Sequence, residues 1–188
     1  MPNNREKNIT KNHLLKKVQL ELGDIVDLSR FKNNTFDFVI CLGDSISYTL
    51  EKRRIAAKEL IRVTKRNGKL IVSADSKLGF LRAYIMNDDI SSAKKLFKTG
   101  KAKEFHEGFE TGLLTVNEFT NLFTKLNCKI LETATIPGIS SEIEILNLSK
   151  IKKSKKNWQA LIDLEINTCT EKSILGSGRH ILLVIKKL

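Results

Sequence analysis

The sequence contains one run that decides its fold, Phe36-Asp37-Phe38-Val39-Ile40-Cys41-Leu42, which ends in Gly43-Asp44-Ser45. The run is nearly all apolar and is closed by a turn, as is typical of a strand that is buried on both faces of a parallel sheet. A helix is predicted from about Thr49 to Arg66, and a second buried strand from Lys69 to Ala74. A strand, a helix and a strand in this order predict a crossover connection and therefore a parallel α/β sheet.

The segment on the N-terminal side of this unit is poor in apolar residues. One short strand is predicted around Lys17 to Leu22, where it runs into Gly23-Asp24. Residues Met1 to Asn12 are polar and basic, as expected for a frayed tail or the worn end of a helix. Upstream of Leu14 the sequence has no apolar run that can form a strand.

The C-terminal side combines an insertion with further sheet elements. The segment from Ser76 to Gly112 is basic and poor in strand signals, and it is predicted to be a helical cap over the sheet. A capping box, Thr115-Val116-Asn117-Glu118, begins a helix that runs to about Leu126. The other predicted elements are a strand from Cys128 to about Thr135, a candidate strand at Ile143 to Leu148, a helix from Ser154 to Cys169 with a buried stripe of Trp158, Leu161, Ile162, Ile166 and Cys169, and a closing strand from His180 to Lys186.

The composition is that of a single soluble domain spanning residues 1–188. Hydrophobic residues make up 41% of the chain and charged residues 29%, so it can bury a core and keep a solvated surface. No apolar run approaches a membrane span, and the first dozen residues lack the apolar stretch of a secretory signal. Cys41, Cys128 and Cys169 lie far apart in apolar runs, without metal-ligand or redox spacing. We therefore expect a protein of the reducing cytoplasm that has no metal site.

The charge is strongly positive, with a net value of +12. Such a balance favours either an anionic partner, RNA included, or simply a lysine-rich solvated surface. The lysines are spread along the whole chain, and only 6% of the residues are aromatic. Because base-stacking surfaces need aromatic side chains beside the basic ones, the solvated surface is the favoured interpretation.

Four segments follow one another in a fixed order: Gly23-Asp24-Ile25, Phe36-Asp37-Phe38-Val39-Ile40, Glu59-Leu60-Ile61-Arg62-Val63-Thr64-Lys65 and Gly68-Lys69-Leu70-Ile71-Val72-Ser73. Together they resemble the second half of a class I (Rossmann-like) S-adenosylmethionine-dependent methyltransferase. The later segments Leu114 to Phe119, Leu126 to Ile130 and Gly178 to Val184 agree with the rest of that family in order. The resemblance implies a sheet of order 3-2-1-4-5-7-6, with an antiparallel final strand and helices on both faces. The first two strands are missing.

The resemblance implies S-adenosyl-L-methionine as cofactor and assigns residues to it. Asp24 corresponds to the acidic residue that accepts a hydrogen bond from the adenine amino group, and Ile25 flanks the ring. Backbone groups of Cys41, Leu42 and Gly43 would face the methionine part, at the sheet edge where ligands of open α/β sheets bind. The alternative for Asp24 is a plain strand-end turn, since Gly-Asp is common in turns.

The residues expected on the substrate side are Asp44, Tyr48 and His106. Asp44 would complement the sulfonium charge and Tyr48 would border the methyl acceptor. The alternative is that Asp44 or Ser47 caps the following helix. His106, in the predicted cap, is the candidate base for an acceptor that must lose a proton, although surface histidines in basic helices are usually inert. His180 is interpreted only as the first residue of the closing strand.

The glycine-rich loop with which this family holds its cofactor is not in the sequence. The single Gly-x-Gly, Gly176-Ser177-Gly178, precedes a strand instead of opening a helix, and is interpreted as a turn. Without the first two strands, one edge of Phe36 to Leu42 is exposed. Three outcomes are open: the strand at Lys17 pairs there, a second chain covers the edge, or the sequence is an N-terminally truncated product.

Two functions follow from these observations. The first is methyl transfer to a small-molecule acceptor, impaired in this chain by the missing cofactor loop. The second is a non-catalytic binding module that reuses the fold for RNA or an acidic partner. The ordered motifs favour the first function, and the positive charge together with the missing loop favours the second.

Overall fold

Two apolar segments pair in parallel to begin the main sheet, β1 (Phe36–Cys41) and β2 (Thr64–Asp75). A computed structural model describes residues 17–103, 108–141 and 145–188, so the predicted tail Met1 to Asn12 lies outside the described residues. The connection between the two strands is helical. It consists of α1 (Ser45–Tyr48), a 3₁₀ turn (Leu50–Lys52) and α2 (Arg53–Val63).

The remaining elements surround and complete this sheet. In chain order they are α3 (Lys77–Met86), α4 (Ile90–Thr99), β3 (Lys101–Lys103), β4 (Glu110–Gly112), α5 (Val116–Thr124), β5 (Cys128–Ile136), α6 (Ile145–Lys153), α7 (Lys155–Thr168), a 3₁₀ turn (Lys172–Ile174) and β6 (His180–Lys187). None of the described helices is both long enough and apolar enough to cross a bilayer.

The main sheet has the strand order β1-β2-β6-β5. Strands β1 and β2 are parallel, whereas β6 runs antiparallel to both of its neighbours, β2 and β5. In the strand numbering of the methyltransferase family given above, this order corresponds to 4-5-7-6. The predicted α/β fold of the Rossmann-like methyltransferase type, with its antiparallel final strand, is therefore confirmed.

The core lies on one face of the sheet, where strand residues alternate between the two sides. Leu70, Val72 and Ala74 of β2 and Ile181, Leu183 and Ile185 of β6 are all buried there. Helix α2 covers them with Ala56, Ala57, Leu60 and Ile61, and helix α5 with Phe119 and Phe123. The predicted capping box of α5 is present, because the Thr115 hydroxyl accepts from the Glu118 backbone N–H and the Glu118 carboxylate accepts from the Thr115 backbone N–H.

Strand β1 is not buried on both faces, which corrects the prediction for this run. Phe38 is 49% exposed and Ile40 is 60% exposed. Strand β1 is the edge of the described sheet, and in the described part of the chain no helix or strand covers these two side chains. The expected exposed edge is therefore present in the described structure.

The segment from Lys17 to Leu22 is not a strand, contrary to the prediction. Its backbone forms no ladder, and Val18, Leu20 and Leu22 are all exposed. The segment does have an apolar residue at every second position, but a strand also needs a neighbour that satisfies its N–H and C=O groups. It therefore does not pair with β1 in the described structure.

Two further predictions on the C-terminal side were wrong. Helix α6 begins at Ile145, where a strand was expected from Ile143, and residues 142–144 are outside the described residues. Leu148 and Ile151 lie at helical spacing and are followed by basic residues in the last turn, a helix-ending pattern. Helix α7 has no fully buried residue, because it packs against α6 at the periphery and leaves Leu164 and Ile166 exposed.

The predicted cap segment, Ser76 to Gly112, contains α3 and α4 and then the short antiparallel pair β3 and β4. The pair had no sequence signal, since each strand is only three residues long. Residues 104–107, and with them the candidate base His106, lie outside the described residues. The role of this segment as a cap over the site stays a prediction.

Candidate functional site at the carboxyl ends of the strands

The site begins where β1 and β2 end side by side, because parallel strands bring their carboxyl ends to one edge of a sheet. After β1 the chain turns through Gly43 and Asp44, which have φ angles of 74° and 56°. The left-handed region is open to glycine and tolerated by aspartate. The Asp44 backbone N–H donates to Ser73 Oγ at 3.2 Å, and the Asp75 N–H donates to Ser47 Oγ at 2.9 Å. These two bonds hold the ends of the strands together.

A histidine from the last strand completes this edge. Because β6 is antiparallel, its first residue, His180, lies opposite the last residue of β2, Asp75. His180 Nδ1 is 2.9 Å from Asp44 Oδ2 and 3.4 Å from Asp75 Oδ1. Sequence reasoning missed this role for His180, since no local pattern places residue 180 beside residue 44. The antiparallel final strand implied by the resemblance was the one signal that could have located it.

The imidazole of His180 lies against the carboxyl groups of two buried residues, Asp44 and Asp75. The neighbouring carboxylates, first Asp44 and then Asp75, raise the pKa of His180 to about 9 against the opposing effect of burial. The second oxygen of Asp75 is occupied, because it accepts a 2.7 Å hydrogen bond from the buried Thr111 hydroxyl. His180 is therefore an imidazolium at neutral pH and not a ready proton acceptor.

Two atoms of the cluster are buried without a hydrogen-bond partner among the described residues, Asp44 Oδ1 and His180 Nδ1. The nitrogen is close to both carboxylates but is not aligned for a hydrogen bond with either. Unsatisfied buried polar atoms are uncommon and costly in native proteins. The cluster thus has unused capacity to hold a positively charged or hydrogen-donating group.

The raised pKa of His180 predicts a specific pH dependence of stability. A group whose pKa is higher in the folded state stabilises the fold fully below its unfolded pKa, near 6.5, and loses that contribution as the pH rises through about 9. We expect the unfolding free-energy difference between the wild type and His180→Gln to shrink by on the order of 1 kcal/mol from pH 6 to pH 9.5, allowing for solvent screening of a partly exposed ring. Urea denaturation in EDTA at both pH values measures it, and a constant difference would contradict it.

The turn that positions His180 is the predicted Gly176-Ser177-Gly178. It is a turn as expected, with Gly176 at a φ of 80°. The Ser76 hydroxyl donates to the Gly176 carbonyl, and the Gly178 N–H donates to Thr135 Oγ1 at 3.0 Å. A Cβ atom at Gly178 would overlap the Pro137 carbonyl oxygen, so only glycine fits. The turn fixes the start of β6 against β5.

A cleft of about 710 Å³ lies next to this edge and brings together three of the predicted site residues. Asp24 and Ile25 line one side of it and Tyr48 lines the other. Asp24 is exposed and forms the turn that was its alternative role, since its Oδ1 accepts a 3.0 Å hydrogen bond from the Val26 N–H. The adenine contact of Asp24 and Ile25 stays a prediction.

The other predicted cofactor residues form the β1 end of the site. Cys41 is buried, and its burial raises the pKa of the thiol to about 11, so the side chain is a neutral core group. Leu42 is exposed, and a Cβ built at Gly43 meets no atom within 4 Å. The backbone beside Gly43 is thus open to a ligand. Its contact with the methionine part of a cofactor stays a prediction.

The capping alternative for Asp44 does not hold. Asp44 occupies the N-cap position of α1, but its side chain makes no capping hydrogen bond and lies against His180 instead. Ser47 does not cap the helix either, since its hydroxyl accepts from the Asp75 N–H. The sulfonium role of Asp44 and the acceptor role of Tyr48 stay predictions, as does that of His106, which is outside the described residues.

A larger cavity, of about 1040 Å³, lies away from the strand ends. It is lined by residues of α2 and α5 and the turn before α2, among them Leu50, Arg54 and Leu122. No residue predicted for cofactor or substrate lines it. Its lining is mixed, with more basic than acidic side chains, and it shares Leu50 and Glu51 with the smaller cleft.

Comparisons with known proteins agree with this architecture. Residues 2–72 match the model of a family described as a methyltransferase domain. A comparison with curated protein sequences finds no significant match. Among solved structures, a putative sarcosine dimethylglycine methyltransferase from Galdieria sulphuraria has a TM-score of 0.55 at 16% identity, covering 97% of this chain and 64% of its own.

Two further solved structures are similar to the same extent. A SAM-dependent methyltransferase from Methanosarcina mazei has a TM-score of 0.55 at 17% identity, with 99% of this chain and 79% of its own covered. A S-adenosylmethionine-dependent methyltransferase from Clostridium acetobutylicum has a TM-score of 0.56 at 14% identity, with 97% and 69% covered. The chain therefore spans about two thirds to four fifths of the length of these structures.

Proposed function

We propose that this chain is a class I S-adenosylmethionine-dependent methyltransferase and contributes the second half of a domain that methylates a small molecule, since residues 2–72 match a methyltransferase-domain family and the sheet has the strand order of that class. The observation that carries the proposal is the cleft between the Gly23–Val26 turn and α1, at the carboxyl edge of the sheet. Its volume of about 710 Å³ is in the range of small-molecule sites. Among the described residues no basic groove with stacked aromatic side chains supports an RNA substrate.

One residue of the cleft, Asp24, and the backbone that follows β1 fit part of the cofactor. The exposed Asp24 carboxylate is a suitable acceptor for an exocyclic amine, and the open backbone at Gly43 permits close approach. No glycine-rich loop in the sequence supplies the contacts to the rest of the molecule. We infer that those contacts come from sequence beyond these 188 residues, and that this chain alone binds the cofactor weakly.

In methyl transfer, the residues of this chain would position the methyl acceptor and exclude water. S-adenosylmethionine supplies an electrophilic methyl group on a sulfonium that leaves as a neutral thioether. The protein has to align the acceptor with that carbon and exclude water. In this proposal Tyr48 borders the acceptor from the wall of the cleft, and Asp44, which precedes α1 beside the cleft, offers negative charge near the sulfonium.

Calorimetric titration with S-adenosylhomocysteine, which measures binding at the cofactor site, tests the proposal. We expect weak or undetectable binding by the 188-residue chain, and clear binding by a version extended through the upstream reading frame. In that version Asp24→Ala should weaken the affinity about tenfold, the typical effect of one lost hydrogen bond.

The matched control is Asp27→Ala. Asp27 accepts a hydrogen bond from the Ser29 N–H at 3.0 Å, as Asp24 does from the Val26 N–H, but Asp27 does not line the cleft. Equal losses of affinity in the two variants would show that Asp24 acts only through the turn it forms and not through contact with the cofactor. No binding by the extended version, or an upstream frame without a glycine-rich loop, would contradict the proposal and leave the non-catalytic module as the better interpretation.

A further inference from the structure

The cluster of Asp44, Asp75 and His180 has the composition and spacing of a metal-ligand set. One potential ligand atom from each side chain lies within 4.8 Å of the others. The three side chains come from three separate parts of the chain, which the sheet topology brings to one edge. Asp44 and Asp75 are both buried, so this is not a group of exposed acidic residues.

The distances within the cluster agree with those of a coordination shell. Ligand atoms that lie about 2.1 Å from a six-coordinate ion are about 3 Å from their neighbours in the shell. His180 Nδ1 is 2.9 Å from Asp44 Oδ2 and 3.4 Å from Asp75 Oδ1. An ion between the three groups therefore needs only small movements of the side chains.

The hydrogen bonding of the cluster points to the same use. His180 Nδ1 and Asp44 Oδ1 are buried without a hydrogen-bond partner among the described residues, although Nδ1 lies between two carboxylates. In contrast, the Asp75 oxygen that faces away from His180 is held by the Thr111 hydroxyl at 2.7 Å. A fixed outer oxygen that leaves the inner one free is the usual arrangement around a ligating carboxylate.

We propose that Asp44, Asp75 and His180 bind a divalent metal ion, which takes the place of the proton on His180 Nδ1 and releases it to solvent, so that the neutral imidazole is the ligand. Two carboxylates and one imidazole form a mixed oxygen and nitrogen set that suits Mn²⁺, Fe²⁺ or Zn²⁺. Three protein ligands leave coordination positions open, and the exposed part of the His180 ring, 38% of its side chain, gives access from solvent. An open position accepts water or an oxygen-bearing ligand. The site does not rest on the proposed function, because the ion needs no cofactor in order to bind.

A Mn²⁺ titration of the whole chain, followed by the electron paramagnetic resonance signal of the free ion, tests the site. We expect one strongly bound ion per chain in the wild type. Asp44→Asn and Asp75→Asn keep the side-chain shape but remove a charged ligand, so each should weaken binding at least about tenfold. The control Asp163→Asn removes an exposed carboxylate on α7 and should leave the affinity unchanged.

A second measurement covers variants that fail to fold, as judged by circular dichroism. In wild-type protein, Mn²⁺ should broaden the imidazole proton resonances of His180, assigned with His180→Gln, at a lower concentration than those of the other two histidines. No Mn²⁺ binding by the wild type would overturn the proposal. Equal binding by both aspartate variants, or a His180 resonance that stays sharp, would also overturn it.

Discussion

Replacing Phe119 by alanine is expected to lower the free energy of unfolding by about 3–5 kcal/mol, the range for truncating a buried phenylalanine. The Phe119 side chain is 0% exposed, and its ring meets that of Phe123 edge to face at a centroid distance of 5.7 Å. Both rings attach α5 to the sheet, so the cavity left by truncation lies at the centre of the core. Urea denaturation monitored by circular dichroism measures the loss.

Phe97→Ala is the control for this prediction. It removes the same number of atoms from α4, but Phe97 is 72% exposed. A surface truncation of this kind should change stability by less than about 0.5 kcal/mol. Similar losses in the two variants would contradict the core described for α5.

Gly178→Ala is expected to cost about 2–3 kcal/mol of stability, the upper part of the range for overpacking. The added methyl group would overlap the backbone carbonyl oxygen of Pro137 and crowd the side-chain oxygen of the buried Thr135. Because Gly178 precedes His180 by two residues, the turn must move and the imidazole with it. Urea denaturation measures the stability, and the proton shift of the His180 ring reports its displacement.

Gly100→Ala separates crowding from backbone strain. Gly100 has a φ of 68° and no atom within 4 Å of a built Cβ, so its substitution should cost only about 1 kcal/mol. A smaller loss at Gly178 than at Gly100 would contradict the close packing of the turn that leads into β6.

Elements with strong local signals could be predicted from the sequence. The capping box of α5 and the N-cap of α7 at Ser154 each depend on residues three apart, and both are present. The apolar run Lys69 to Ala74 was also sufficient to predict the buried strand β2, because this strand lies between two others. The order of the strands followed from the family resemblance and not from local pattern.

The missed features depend on contacts between distant residues. An apolar run such as Phe36 to Leu42 indicates a strand but not what covers each face, so the exposure of Phe38 and Ile40 had no local signal. The apolar residues of α7 likewise indicate an apolar helix face, but they do not show which element packs against it or whether it is buried. A helix cap was a possible role for Asp44 because capping depends on residues close in sequence. Its contact with His180 depends instead on the pairing of distant strands in the sheet.

The antiparallel last strand also determines when the Asp44, Asp75 and His180 cluster can form during synthesis. The two aspartates are synthesised before the histidine between them, which belongs to the last strand of the described sheet. Pairing of such distant segments is slow, since the loop-closure entropy is lost before the contacts form. Nascent chains that end before residue 180 hold the two aspartates without their counter-charge. Completion of the sheet and assembly of the cluster are therefore a single late folding event.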